Sequence, residues 1–141
     1  MRTKLRYGQI GGTLNAFIGG VHRKAIAINE QAELVAGCFS SSNVESNIQC
    51  GQHYGISADR IYNSYQDMAE VEADRKDDRL DFVVICTPNR THYEIAKAFI
   101  EKGFNIVCEK PLCFTVEEGE ELKEIAKKNG CSFIDHIRFI I

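Results

Sequence analysis

Glu109, Lys110 and Pro111, followed by Leu112, close a short apolar run, Asn105-Ile106-Val107-Cys108, that reads as a buried strand. A carboxylate, an ammonium and a proline in that order at a strand end serve no packing purpose. In a parallel α/β sheet the carboxyl ends of the strands are where ligands bind. Lysine offers a compact charge and three donors, suited to a ribose or a substrate hydroxyl. The plainer reading is a surface ion pair between neighbours, of small energetic value. Near the start of the chain, Gly8-Gln9-Ile10-Gly11-Gly12-Thr13-Leu14-Asn15-Ala16-Phe17-Ile18-Gly19 runs from a strand into a helix. Glycine at such a turn lets backbone approach a pyrophosphate, and the helix N-terminus stabilises its charge. Gly11 fits the first position of the dinucleotide fingerprint, Thr13 stands at the second and Ala16 at the third, with Gly12 and Phe17 in the same lining. Threonine brings a Cβ where close phosphate approach favours none. The alternative is a glycine-rich turn without a ligand.

Two further loops have the right place. Thr87-Pro88-Asn89-Arg90-Thr91-His92 follows the most apolar strand, and Pro88 ends it. Thr87, Pro88, Asn89 and His92 are candidates for the rim along which a cofactor lies. His92 serves equally well as polar surface at a helix start. Ser40-Ser41-Ser42-Asn43 follows the second strand, where an acidic residue would hold the ribose hydroxyls of NAD. Ser40 and Ser41 are the candidates there. Neither a carboxylate nor an arginine stands in that turn, so it does not discriminate NAD from NADP, and a polar loop without contact is the competing reading.

These loops need strands and helices to hold them, and the two alternate throughout. Leu5 to Ile10 is a strand. Ile18, Val21, Ala25 and Ile28 recur at helical spacing and place His22 to Asn29 in a helix. Leu34 to Phe39 is a strand, Val44 to Tyr54 a helix, and Arg60-Ile61-Tyr62 a marginal third strand. Ser64 and Asp67 are placed to start a helix that runs to Asp74, and Asp81 to Cys86 is apolar enough for a strand covered on both faces. Thr91 with Glu94, and Thr115 with Glu118, form capping boxes ahead of two helices that Gly103 and Gly130 stop. Cys131 to Ile134 is the last strand. The alternation predicts an α/β fold, a doubly wound parallel sheet of the Rossmann type.

The chain has 141 residues, one domain's worth, and its 44% apolar share supports a real core. Its net charge is −3 with the signs interspersed, and no basic stripe is present, which argues against nucleic acid. No apolar run is long enough to span a membrane. Gln9, the glycines and Asn15 interrupt any export signal. The six cysteines include no CxxC pair, and Cys38, Cys86 and Cys108 fall in strands. They read as small buried hydrophobes in a reducing cytoplasm. The four histidines and the isolated Cys108 and Cys113 lack metal-ligand spacing.

Taken together, Gly11 with Ala16, Thr87-Pro88-Asn89 with His92, and Glu109-Lys110-Pro111 resemble the glucose–fructose oxidoreductase, inositol dehydrogenase and rhizopine-catabolism (Gfo/Idh/MocA) family. The segment Ala16-Phe17-Ile18-Gly19-Gly20-Val21-His22-Arg23 is similar to one of its bacterial branches. The likeness covers residues 4 to 135. It implies an N-terminal Rossmann domain that binds NAD or NADP, and a second α+β domain that carries substrate contacts and assembly. It places Lys110 near nicotinamide and substrate, and it implies hydride transfer at a sugar or cyclitol CH–OH. Thr13 and Asn15 stand where that branch often has glycine.

The domain is expected over residues 1–135, with 136–141 the truncated start of a crossover into an absent substrate domain. On that view the chain binds cofactor weakly, because Thr13 crowds the pyrophosphate, and is not catalytically complete alone. A polyol or sugar substrate requires the second domain. His136, beside Asp135, is set aside as a base because nothing remains to build a pocket around it, and the apolar tail Phe139-Ile140-Ile141 is expected to drive self-association. The competing expectation is a degenerate module kept for nucleotide or partner binding.

Overall fold

Phe82–Cys86 is an almost unbroken apolar strand, and its four residues from Val83 are buried on both faces of a sheet. Such a strand must lie inside a parallel sheet with helices above and below. The computed structural model describes residues 4–135, and there this segment is the centre of a five-stranded, wholly parallel sheet. The strands are β1 (Leu5–Gly11), β2 (Ala32–Cys38), β3 (Phe82–Cys86), β4 (Asn105–Cys108) and β5 (Phe133–Asp135), in the order β2-β1-β3-β4-β5. Five longer helices connect them: α1 (Phe17–Ala27), α2 (Val44–His53), α3 (Tyr65–Asp74), α4 (His92–Glu101) and α5 (Val116–Asn129).

Helices α3, α4 and α5 cover one face through Met68, Ile95, Phe99, Leu122 and Ala126, packed on Ile10, Val83, Ile85 and Ile106. The other face receives α1, whose Ile18 and Ile26 meet Tyr7 and Val84. Cys50 of α2 joins Phe39 and Ile56 beside Leu34 on that side. The sheet is therefore doubly wound. The chain moves outward from β1 to β2, then returns to β3 on the other side of β1, so a topological switch point lies between β1 and β3.

Three local expectations need correction. The third strand at Arg60-Ile61-Tyr62 is a short 3-10 turn, Ala58–Arg60, followed by one bridge, Gly37 to Ile61. Arg60 is diverted into a buried ion pair with Glu72 at 2.6 Å, and Tyr62 also donates to Glu72 at 2.8 Å. The side chains on either side of Ile61 are thus held by Glu72, and pairing with β2 is limited to that bridge and the bond from the Tyr62 N–H to the Gly37 carbonyl at 2.8 Å. Helix α1 begins at Phe17, five residues before His22, and presents another face: Gly19 and His22 are buried, whereas Val21 is 40% and Ile28 84% exposed. The Thr91–Glu94 capping box is absent; Thr91 instead donates its hydroxyl to the Pro88 carbonyl at 2.7 Å. The Thr115–Glu118 box forms on α5, Ser64 caps α3 through the Asp67 N–H, and Gly130 ends α5 at a φ of 65°. No helix among the described residues is long and apolar enough to cross a membrane. The expected crossover, His136 and the apolar tail lie outside the described residues.

Candidate functional site

Gly11, Cys86 and Cys108 are the last residues of three adjacent parallel strands, so the loops that follow them share one lip of the sheet. Gly11 has a φ of 77°, and a Cβ there would stand 2.9 Å from the carbonyl carbon and oxygen of Cys86 and from the Thr87 methyl. Only glycine lets the turn after β1 seat itself against the start of the Thr87-Pro88 loop. Gly12 has a φ of 74°, and α1 leans on it through Gly19, where an added Cβ would approach the Gly12 Cα to 2.7 Å. Backbone thus meets backbone at two places around one short turn.

Helix α1 starts from Ala16 with no side-chain cap and no acidic residue in its first turn. Its free N–H groups and positive dipole end are the features that receive a negative group. The Thr13 carbonyl accepts from the Ala16 N–H at 2.9 Å and shapes the entry to the helix. Thr13 and Ala16 are half-buried, and the Phe17 ring is 84% exposed beside them.

The other two loops are fastened to each other and to α1. His92, a candidate for cofactor contact, is fully buried. One ring nitrogen, Nδ1, lies 2.7 Å from the Pro111 carbonyl and the other, Nε2, 2.8 Å from the Thr87 carbonyl. The side chain therefore ties the Thr87 loop to the Pro111 loop, and its polar atoms face protein. This corrects its expected place on the rim. His22 of α1 lies with Nε2 2.6 Å from Glu109 Oε1, the two side chains being 10% and 12% exposed. Glu109 also donates its N–H to the Ile85 carbonyl at 3.0 Å. Lys110 stands between these two anchored neighbours with its own side chain exposed. A charge held on a fixed corner is pre-positioned for a partner. Pro88 and Asn89 are exposed on the same lip, and Thr87 is half-buried.

The turn after β2 is set by a residue that sequence reasoning missed. Asn47 is fully buried, accepts from the Phe39 N–H at 2.8 Å and donates to the Tyr62 carbonyl at 2.7 Å. It clamps the end of β2 to the returning chain. Ser40 accepts from the Asn43 N–H at 3.1 Å, and Ser41 is exposed. His22, Gln9 and Arg23 were likewise not singled out for the site. Each lies in a segment read for other reasons: Gln9 as an interruption of an apolar run, His22 and Arg23 as part of a helix.

Cys86 borders the turn and is buried. Burial pushes its thiol up to about 12, the Glu109 charge adds to that, and Arg23 opposes it. Among the described residues no cluster of histidine, cysteine and carboxylate side chains could hold a metal ion.

A wound parallel sheet, a glycine corner at its switch point, an uncapped helix N-terminus and two fastened rim loops define a Rossmann-type nucleotide-binding domain. The chain belongs to the Gfo/Idh/MocA oxidoreductase family, NAD-binding Rossmann fold, whose model matches residues 5–136. It is 42% identical over 127 residues to the uncharacterized oxidoreductase YfiI of Bacillus subtilis, covering 89% of this chain and 32% of that protein. An oxidoreductase from Pseudomonas syringae superimposes with a TM-score of 0.90 at 38% identity, over 96% of this chain and 37% of that one. An inositol dehydrogenase homolog from Azotobacter vinelandii, solved with NADH and myo-inositol, gives 0.87 at 38% identity, over 95% and 35%. The chain spans about a third of the length of these relatives.

Proposed function

We propose that this chain binds a nicotinamide dinucleotide across its switch-point lip and is the cofactor-binding part of an oxidoreductase acting on a sugar or cyclitol CH–OH. The observation that carries the reading is the fastening of three strand-end loops into one edge. Gly11 sits against Cys86 and Thr87, His92 joins Thr87 to Pro111, and His22 joins α1 to Glu109. The fit to the cofactor rests on the turn itself: no Cβ occupies Gly11 or Gly12, and the first turn of α1 holds no carboxylate to repel a phosphate.

On this reading Gly11, Gly12, Thr13, Ala16 and Phe17 line the pyrophosphate. Ser40 and Ser41 meet the adenosine ribose, and Thr87, Pro88 and Asn89 form the rim. Glu109, Lys110 and Pro111 bring an ammonium toward the nicotinamide end and the substrate hydroxyl. His92 supports from beneath. The bound cofactor supplies the hydride acceptor or donor. Lys110 orients the substrate hydroxyl by donating to it, and the group that takes the hydroxyl proton belongs to a part of the protein beyond the Rossmann domain of residues 1–135. The relative solved with NADH and myo-inositol supports the substrate class.

Isothermal titration with NAD and with NADP tests the reading. Binding is expected with both, because the Ser40–Asn43 turn holds no arginine for a 2′-phosphate and no carboxylate against one. It is expected to be weak, since Thr13 puts a Cβ beside the phosphate path. Absence of heat with either nucleotide at millimolar concentration overturns it.

A further inference from the structure

Gln9 occupies the middle of a buried strand, where it has no exposed surface. A leucine or methionine would fill such a place without a polar atom to satisfy. The carboxamide is nonetheless put to use. Its Nε2 donates to the Gly11 carbonyl at 2.9 Å and to the Gly12 carbonyl at 3.3 Å. The same Gly12 oxygen accepts from Arg23 Nη1 at 3.1 Å, and the Arg23 guanidinium is itself stacked 4.3 Å over the Tyr54 ring. The other end of the carboxamide, Gln9 Oε1, is buried and unpartnered among the described residues. Turning the amide over would set that oxygen against two carbonyl oxygens, so the observed orientation is the one the turn enforces.

In a trans peptide the carbonyl and the following N–H point in opposite directions. Drawing the Gly11 and Gly12 carbonyls toward Gln9 therefore turns the N–H groups of Gly12 and Thr13 away from it. Neither N–H donates to a carbonyl or side chain among the described residues. Two successive free N–H groups at a positive-φ corner make an anion-receiving concavity, and the uncapped start of α1 adds its own.

We infer that Gln9, seconded by Arg23, is a positioning residue for the cofactor's pyrophosphate. It holds the glycine corner with carbonyls inward so that the Gly12 and Thr13 amides face the phosphates. An unpaired buried oxygen is retained because the paired nitrogen sets the turn. This inference rests on the dinucleotide reading above and adds to it a residue below the turn that never touches the ligand.

The 15N-labelled protein, titrated with ADP-ribose and followed by amide resonances, separates the two. In the wild-type chain the Gly12 and Thr13 amides are expected to shift on binding. Gln9→Met, of similar bulk and without donors, removes the orphan oxygen but leaves the Gly11 carbonyl without the Gln9 donor, so its melting temperature is expected to stay near that of wild type. It should bind ADP-ribose about tenfold more weakly, with the Gly12 and Thr13 shifts reduced. Arg23→Met is expected to weaken binding in the same direction by a smaller factor. A merely structural glutamine would lower stability without singling out those two amides. A folded Gln9→Met protein that binds ADP-ribose within twofold of wild type, with both amides responding as before, overturns the inference and leaves the dinucleotide reading standing. A wild-type chain that shows no ADP-ribose response overturns both.

Discussion

Replacing His92 by leucine tests whether the two rim loops are truly held by one ring. The side chains are close in size, so cavity and crowding effects are small, and the loss of polar contacts dominates. The ring lies 2.7 Å from the Pro111 carbonyl and 2.8 Å from the Thr87 carbonyl, both partly buried. An imidazole with one N–H donates to one of these two carbonyls, so the leucine leaves one acceptor without its donor. Such an acceptor in a dry site costs about 1–3 kcal/mol. Burying a leucine in place of an imidazole returns roughly 1 kcal/mol of transfer free energy, so the net loss is about 1 kcal/mol. With a urea slope of about 1–3 kcal/mol/M for a chain of this size, the midpoint should fall by roughly 0.5 M. His92→Asn keeps a polar atom near the position of Nδ1 and should recover about half of that loss. Urea unfolding followed by circular dichroism reads both values. A His92→Leu midpoint equal to wild type at unchanged slope would refute the argument that these contacts bind the loops together.

Two further outcomes follow from the same corner and from the sheet beneath it. Gly12→Ala sets a Cβ 2.9 Å from the Gly19 Cα at a φ of 74°. Left-handed backbone costs about 1–2 kcal/mol and overpacking about 1–3 kcal/mol, which together lower the melting temperature by roughly 5–15 °C in a scanning calorimeter. A shift below about 2 °C would show that α1 moves away freely. Alkaline pH should destabilise the fold through its buried thiols. Burial raises Cys38 from 9.0 to about 11 and Cys86 from 9.0 to about 12, so the unfolded chain releases these protons first. Their contribution is complete below pH 9 and is lost as pH climbs toward those values, because stability falls wherever the unfolded state binds fewer protons. Urea midpoints measured from pH 8 to 11 should decline, and substitution of both thiols by alanine should flatten the decline. An unchanged slope in that variant assigns the effect to other groups.

The sheet was legible because its strands obey one-dimensional rules. Phe82–Cys86 and Asn105–Cys108 are runs that only a two-sided burial explains, and Thr115 with Glu118 specifies a helix start within four residues. The lip was legible for a related reason: Gly11, Pro88 and Pro111 punctuate strand ends, and parallel topology places all such ends together. What failed to show were features decided by contact between distant segments. The apolar spacing of Ile18, Val21, Ala25 and Ile28 defined one face of α1, yet another turned inward. Its rotation is set by the Gly12–Gly19 backbone approach and by the bond from His22 to Glu109, a residue 87 positions away. Arg60-Ile61-Tyr62 had strand composition but was claimed by the Glu72 carboxylate.

Gln9 is the sharpest case. In a list of residues it is a polar flaw in an apolar strand, and local propensity counts it as a loss. Its purpose appears only when the Gly11 and Gly12 carbonyls are seen bending back over it. A sequence that is locally inconsistent at one buried position is the kind that marks function. The corner carrying the fewest side-chain atoms is here held by donors supplied from below, Gln9 Nε2 and Arg23 Nη1, rather than by side chains of the turn itself.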